Sequence, residues 1–353
     1  MDAIDRTPIT GESMDAIMEL LSNKKAQDQV SFTIRRNEER KEIAVICEEV
    51  QFPVISFHMF TDHIGYIHIH SFAGDMDKEF ADALHALQDQ GMKSLLIDLR
   101  NNGGGYVDAA LKLAHFFKQE GVFMYAIDRE HPQGKPMQFE DGADFKLPTA
   151  LLINEHTASA AEMFAGFMQD NNLADIIGTR SYGKGVAQQL VPLISGGMLK
   201  VTYTEWLTPK QHVVNHAGIQ PDTELNGELE PVIHALRTLG AKQTKLELYE
   251  TGANLNDMPL PVVVPDVVED GREYLPSRLL SELIGGTVGW DSELSEVRIS
   301  TDKLSALFAA KQSSQAVLKD GMCLVELHEF QKQFPELNWQ RDGHILTLIM
   351  RRD

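Results

Sequence analysis

Apolar residues recur along this chain with two periods, and the change from one to the other divides it. Near the start, Met14, Ile17, Met18 and Leu21 fall at i, i+3, i+4 and i+7 behind Ser13, which predicts a short capped helix. Val30-Ser-Phe-Thr-Ile34 and Ile43-Ala-Val-Ile46 then alternate about the charged turn Arg35-Arg36-Asn37-Glu38-Glu39-Arg40, as hairpin strands do. From about Phe52 to Asn226, strand patterns alternate with helix patterns, the signature of an α/β domain. Ile64-Gly-Tyr-Ile-His-Ile-His70 reads as a strand, and Met76, Phe80, Ala83, Leu84 and Leu87 as the buried stripe of a helix. Residues 93–99 and 150–153 run almost continuously apolar, which predicts strands covered on both faces. Helices are expected over about 107–117 and 159–169, and two further strands near 186–193 and 198–207.

Beyond this domain the pattern changes again. Residues 227–255 read as a helical linker, with Pro231, Val232, Ile233, Ala235, Leu236 and Leu239 on a short amphipathic helix before polar turns. A weak repeat follows. Asp270-Gly271 leads through a helix at 278–283 and Trp290 to a strand ending at Ile299, and Asp320-Gly321 leads through Phe330 and Trp339 to a strand at 345–350. Two copies of one small module account for this spacing. The expected division is therefore 1–49, 50–226, a linker at 227–255, and 256–353.

Composition narrows the function classes. A length of 353 residues suits two or three domains, and 43% hydrophobic with 24% charged residues is ordinary for a globular chain. The formal charge of −20 argues against nucleic acid or an anionic membrane surface as the main partner. Cys47 and Cys323 lie far apart, so neither a metal knuckle nor a disulfide framework is available. The start Met-Asp-Ala-Ile-Asp-Arg lacks the regions of a signal peptide, and no apolar run approaches the ~18 residues of a membrane span.

Three segments carry chemistry, each where a strand hands over to a helix or loop, the place where open α/β sheets hold ligands. Asn101-Asn102-Gly103-Gly104-Gly105 follows a buried strand, and its glycines let amide N–H groups converge on an anion or developing oxyanion; a plain tight turn explains it equally. Asn154-Glu155-His156-Thr157-Ala158-Ser159-Ala160-Ala161-Glu162 sets hydroxyls at the mouth of a helix, where the positive dipole end favours negative charge; Thr157 or Ser159 as a simple cap is the bland alternative. No GxSxG elbow is present. In Tyr182-Gly183-Lys184-Gly185-Val186-Ala187-Gln188 a lysine sits between glycines, and an extended continuation puts Lys184, Val186 and Gln188 on one face; a surface turn lysine is the alternative. The spacing of a phosphate loop is absent. His156 is a rival base, and His68 with His70 could bind a metal but suits a solvated strand face.

Taken together, the Asn-x-x-Thr-Ala-Ser-Ala-x-Glu segment, the Gly-Lys-Gly 25 residues after its serine, and Gln188 resemble the core of the carboxyl-terminal processing peptidases, or tail-specific serine proteases. Asp98-Leu-Arg-Asn-Asn-Gly-Gly-Gly105 resembles that family's Asp-Leu-Arg-Asn-Asn-Pro-Gly-Gly, with Gly103 in place of proline. The likeness extends to Gly218-Ile-Gln-Pro-Asp222. It implies an α/β fold with a ClpP/crotonase-like protease core, Ser159 as nucleophile, Lys184 as base and Gln188 orienting the lysine. The amides of Gly105 and Ala160 would form the oxyanion hole, with Gly104 as the neighbouring candidate. Lysine is ordinarily protonated at neutral pH, so such a base needs a partly dry pocket. Asp170 also matches a family position and is read as structural.

The ends add expectations of their own. Residues 1–49 resemble the second half of a PDZ domain, which captures a peptide by strand addition; the half that binds the terminal carboxylate is missing, as in a chain that begins inside a longer product. Tyr274-Leu275-Pro276-Ser277-Arg278 and Val288-Gly-Trp-Asp291 resemble the stalk-type module at the amino end of some copper amine oxidases, forming a small α+β repeat domain. No copper, other metal or cofactor is implied. The resemblance implies a protein or peptide substrate and a bacterial envelope or extracellular location. It leaves open a homo-oligomer and a cell-wall or surface partner for the repeats. A non-catalytic envelope scaffold that binds peptides is the competing function, and acyl-CoA chemistry on the related crotonase-like fold is a more distant one.

Overall fold

In the computed structural model, which describes residues 2–36, 39–49, 53–310 and 315–352, Ser13 caps the first helix, α1 (Met14–Ser22), by accepting a hydrogen bond from Ala16 N–H at 3.2 Å. The chain divides into two units, Met1–Pro53 and Val54–Asp353. The first holds α1 and a four-stranded antiparallel sheet in the order Thr7–Pro8, Ala3–Ile4, Gln29–Arg36, Glu39–Ile46. Its core is small: Ile4, Ile9 and Val30 are buried, with Ile17, Leu21, Phe32 and Cys47 packed against them. Asn37 and Glu38, at the tip of the expected turn, lie outside the described residues.

The second unit is built on a six-stranded sheet. Its order is Thr223–Glu224, Asp175–Gly178, Thr149–Ile153, Ser94–Asp98, Ile64–Ile69, Ile55–Phe60; the first five strands are parallel and the last is antiparallel. Alternation sends the residues of each strand into two cores. Leu95, Ile97, Leu151 and Ile153 share one with three helices, α2 (Met76–Asp89), α3 (Val107–Ala114) and α4 (Ala160–Asp170). α4 buries every residue but Gln169, so it is an interior helix rather than an amphipathic one. α3 stops short of the expected Phe117, because Phe116 and Phe117 N–H turn back to Leu113 and Ala114 O in a tightened last turn.

A second, antiparallel sheet lies against α4 in the order Val186–Pro192, Met198–Leu207, Gly121–Ile127, Lys135–Phe139. Phe123 and Phe139 contact Phe167 of α4, with ring centroids 5.7 and 5.8 Å apart. Only Glu205, Trp206 and Leu207 pair with Gly121–Ile127, so the rest of the 186–207 hairpin projects as a two-stranded ribbon.

The opposite face of the six-stranded sheet is covered by the C-terminal part of the chain. Tyr66, Leu96, Leu152 and Ile177 join one core with α5 (Glu230–Thr238), α6 (Ser277–Ile284) and α7 (Leu327–Gln333). Residues 227–255, read above as a linker ending in polar turns, belong to this core. Gln243–Tyr249 is a strand with Thr244, Leu246 and Leu248 buried, paired with Gly252–Leu255 and Ile345–Arg351. The repeat has a structural counterpart. A tight hairpin with Asp270 and Gly271 at positive φ, then α6, then the hairpin Thr287–Asp291 with Glu296–Ser300 form one copy. The other is a hairpin with Asp320 and Gly321 at positive φ, then α7, then Leu337–Asp342 with Ile345–Arg351. The copies meet in one sheet, Leu275 opposite Val325.

Candidate active site

Three neighbouring parallel strands, Asp175–Gly178, Thr149–Ile153 and Ser94–Asp98, end on the same edge of the sheet, and each of the three chemistry-bearing segments leaves from one of these ends. Cross-bonds tie the segments together. Asn101 N–H donates to Asn154 Oδ1 at 2.9 Å, Ala158 N–H to Asn102 O at 2.9 Å, and Tyr182 N–H to Thr157 O at 2.9 Å. Thr157 Oγ1 donates to Leu99 O at 2.8 Å. Thr157 is fully buried and anchors the loop, leaving Ser159 at the head of α4.

Ser159 adopts φ 59° and ψ −120°, outside the regions open to ordinary side chains. Such a residue costs on the order of 1–3 kcal/mol and persists because its surroundings over-determine it. Glu162 does much of this. Its side chain is fully buried and, among the described residues, enters no ion pair. Oε2 accepts from Ser159 N–H and Lys184 N–H, each at 2.8 Å, and Oε1 accepts from Ser181 Oγ at 2.5 Å and Gly183 N–H at 2.6 Å. One carboxylate oxygen thus binds the backbone amides of both proposed catalytic residues, which lie no further apart than twice 2.8 Å. Ser181 Oγ also accepts from Ile219 N–H at 2.6 Å, so the network continues into the following loop.

Lys184 is half-buried, and among the described residues its ammonium enters no ion pair or hydrogen bond. Its carbonyl accepts from Trp206 Nε1 at 3.2 Å. Gly185 is required here, since a β-carbon would lie 2.3 Å from Asn215 N. Gln188 sits two residues into the strand Val186–Pro192, half-buried. The register between the hairpin strands shifts beside it, from Ala187 opposite Thr204 to Gln188 opposite Thr202.

At the glycine turn, Gly104 N–H is committed to Asn102 Oδ1 at 2.8 Å and is not free to donate elsewhere. Gly105 and Ala160 N–H take no acceptor among the described residues. Both glycines are sterically necessary. A β-carbon on Gly104 would sit 2.9 Å from Ser159 Cβ and from Ala160 N, and one on Gly105 2.1 Å from Phe72 O. The glycine turn therefore packs directly against the serine.

The base of that turn is held by charge. Buried Asp98 accepts from Arg100 Nη2 at 2.7 Å, Arg100 Nε at 3.0 Å and Tyr66 Oη at 2.9 Å, while Arg100 Nη1 donates to Glu228 O at 2.7 Å. Burial pushes the Asp98 carboxyl up, but the charge and hydrogen bonds of Arg100 outweigh it and hold the group below the usual carboxylate range. Burial, then the charge of Asp98, pushes the Tyr66 hydroxyl up.

The other candidates fall away from the site. The ring of His156 faces Glu155, with Nε2 3.7 Å from Oε1. The rings of His68 and His70 lie with centroids 4.0 Å apart, tilted by 42°, and His70 Nε2 lies 3.0 Å from Ser56 Oγ. Burial lowers the His70 pKa, His68 adds to that, and Asp98 opposes it. Among the described residues no three His, Cys, Asp or Glu side chains are grouped to hold a metal ion, copper included. Asp170 accepts from Lys210 N–H at 2.7 Å and contacts His212 Nδ1 at 3.2 Å, fixing the loop after the second sheet. Sequence reasoning gave Glu162 no role, although Ser159-Ala-Ala-Glu162 has the spacing of a capping box. Nothing local marked Ser181.

Residues 63–225 match the family model for peptidase family S41, and residues 225–331 that for the copper amine oxidase N-terminal domain. A "Probable CtpA-like serine protease" of Staphylococcus aureus (strain N315) is 31% identical over 222 residues, 62% of this chain and 44% of that protein. Its namesake in Staphylococcus epidermidis is 28% identical over 227 residues, 63% of this chain and 45% of that protein. The chain thus spans less than half the length of these curated relatives. Among solved structures, a photosystem II D1 C-terminal processing protease is similar with a TM-score of 0.50 and 25% identity, over 68% of this chain and 67% of that one.

Proposed function

We propose, from the premise that residues 63–225 form a peptidase family S41 domain, that this chain is a serine endopeptidase working through a Ser159–Lys184 dyad on polypeptides with accessible C-terminal tails. The observation that carries the reading is the shared Glu162 oxygen, which holds the amides of both residues at 2.8 Å. In the reaction Lys184 takes the proton of Ser159 Oγ as that oxygen attacks a peptide carbonyl carbon. The amides of Gly105 and Ala160, without acceptors among the described residues, donate to the resulting oxyanion. Lys184 returns the proton to the departing amine, and a water molecule, deprotonated by the same lysine, then hydrolyses the acyl-enzyme. Gln188 orients the lysine. The first unit serves as part of a PDZ-like module, and the work is done in the bacterial envelope or outside the cell.

The test is hydrolysis of an unfolded protein such as β-casein by the full chain. Wild type should cleave it, and Ser159→Ala and Lys184→Ala, shown to be folded by circular dichroism, should not. Cleavage that survives either substitution overturns the dyad. No turnover by wild type, with equal peptide binding by wild type and Ser159→Ala, makes the chain a peptide-binding scaffold instead.

A further inference from the structure

Of seven tyrosines in the chain, three are exposed, Tyr106 at 70%, Tyr182 at 67% and Tyr203 at 56%, and all three adjoin the proposed catalytic groups. Tyr106 directly follows Gly105, and Tyr182 lies two residues before Lys184. Tyr203 is the residue left without a partner at the register shift beside Gln188. A bulge of this kind re-aims a side chain and is over-represented next to active sites.

The main chain at two of these positions is pinned. Tyr106 N–H donates to Phe72 O at 2.7 Å, and Tyr182 N–H to Thr157 O at 2.9 Å with Gly183 N–H on Glu162 immediately after it. The rings, in contrast, stand in solvent, and their hydroxyls make no hydrogen bond among the described residues. The ribbon that carries Tyr203 also exposes Leu190, Val191, Leu199 and Val201. Between Val186 and Thr204 its only charged residue is Lys200, on a chain of formal charge −20. Its strand Val186–Pro192 is an edge strand starting two residues after Lys184, so its outer backbone groups face no other strand. Neither the 740 Å³ groove at Trp290 nor the 850 Å³ groove at His68 contains Ser159, Lys184 or any of these tyrosines.

We propose that Tyr106, Tyr182 and Tyr203 form an aromatic rim that selects extended, apolar polypeptide segments over charged ones for the site at Ser159. This rests on the dyad reading above. Tyrosine presents a large amphipathic face with few rotors to freeze, which suits a surface that grips many sequences in one backbone conformation. The ribbon, whose one charged side chain is Lys200, continues that surface along the chain direction of a bound strand.

The test separates the rim from the dyad by measuring binding without turnover. Fluorescence anisotropy on the Ser159→Ala protein compares a labelled dodecapeptide of alternating leucine and serine with one in which glutamate replaces leucine. The leucine peptide should bind at least about tenfold tighter, a difference of about 1.4 kcal/mol. Tyr182→Ala or Tyr203→Ala in that background should weaken it by about 5- to 20-fold, as loss of an aromatic contact does. Trp290→Ala, which removes an exposed aromatic ring from a different sheet, should change nothing. Equal binding of the two peptides, no effect of either tyrosine substitution, or an equal loss with Trp290→Ala overturns the rim. Tyrosine-dependent binding in a chain whose wild type hydrolyses nothing sinks the dyad and leaves the rim standing.

Discussion

Glu162→Gln keeps the shape of the buried side chain and removes half of its capacity to accept hydrogen bonds. The carboxylate serves four donors, two per oxygen. Glutamine has one accepting oxygen, so whichever way its amide turns, an NH₂ group faces two donors. The Ser181 hydroxyl can rotate and the three backbone amides cannot, so the less costly orientation points Nε2 at Ser181 and Gly183. Gly183 N–H then loses a charge-assisted bond, worth about 1.5–3 kcal/mol, and stays buried without an acceptor, which costs about 1–3 kcal/mol more. A loss of about 2.5–6 kcal/mol follows, a large share of the roughly 5–15 kcal/mol that stabilises a domain. Urea unfolding should show it as a lower midpoint at unchanged slope. Release of Gly183 also loosens the loop that carries Lys184, and a displacement on the order of 1 Å is enough to lower kcat about 100-fold. A variant within about 0.5 kcal/mol of wild type, the range of ordinary surface changes, would refute the four-donor account.

Two further substitutions test strain and burial. Ser159→Gly and Ser159→Ala both remove the hydroxyl, but only glycine relaxes φ 59°, so it should be about 1 kcal/mol more stable than the alanine variant in calorimetry; equal melting temperatures would show that no strain is stored there. Burial pushes the Glu230 carboxyl up against opposing backbone hydrogen bonds from its own N–H and that of Leu229, and the charge of Glu282 adds to the rise. Its ionisation therefore works against the fold above the raised folded value, and the penalty fades as pH falls toward the unfolded value of about 4.3. Glu230→Gln should raise the melting temperature at pH 7 and leave it nearly unchanged at pH 4, and an equal effect at both values would rule out this origin.

Much of the fold can be read from the chain because burial leaves a period. The runs at 94–98 and 149–153 are apolar on both faces because two cores meet across them, and the stripe of α2 is present residue for residue. The three chemistry-bearing segments could be placed at strand ends for the same reason. Gly121–Ile127 leaves a weaker trace: Phe123 and Met124 are both buried although adjacent, so no alternation marks the strand. Gln243–Tyr249 does alternate, but its pattern includes Thr244, and a polar residue buried under another strand does not count as apolar in a periodicity. The site divides along the same line. Ser159, Lys184 and the glycine turn announce themselves by residue type, whereas the convergence of Ser159, Ser181, Gly183 and Lys184 on Glu162 is made by backbone amides, which every sequence possesses.

The C-terminal repeats bear on the site through the sheet they cover. A stalk joined by a linker would leave Tyr66, Leu96, Leu152 and Ile177 on an open face, and burying each such large side chain contributes roughly 1.5–3 kcal/mol. Here those residues lie in one core with Leu236, Leu275, Leu280 and Val325, so the six-stranded sheet and the repeats share a continuous apolar core. The connection is also polar. Glu228, just ahead of α5, takes Arg100 Nη1 on its backbone carbonyl, Arg100 holds Asp98, and Asp98 closes the strand from which the Asn101–Gly105 turn departs. The boundary at residue 225, where one family model gives way to the other, therefore falls inside one compact unit, Val54–Asp353. The geometry of the Asn101–Gly105 turn depends on a residue, Glu228, that lies outside the peptidase match.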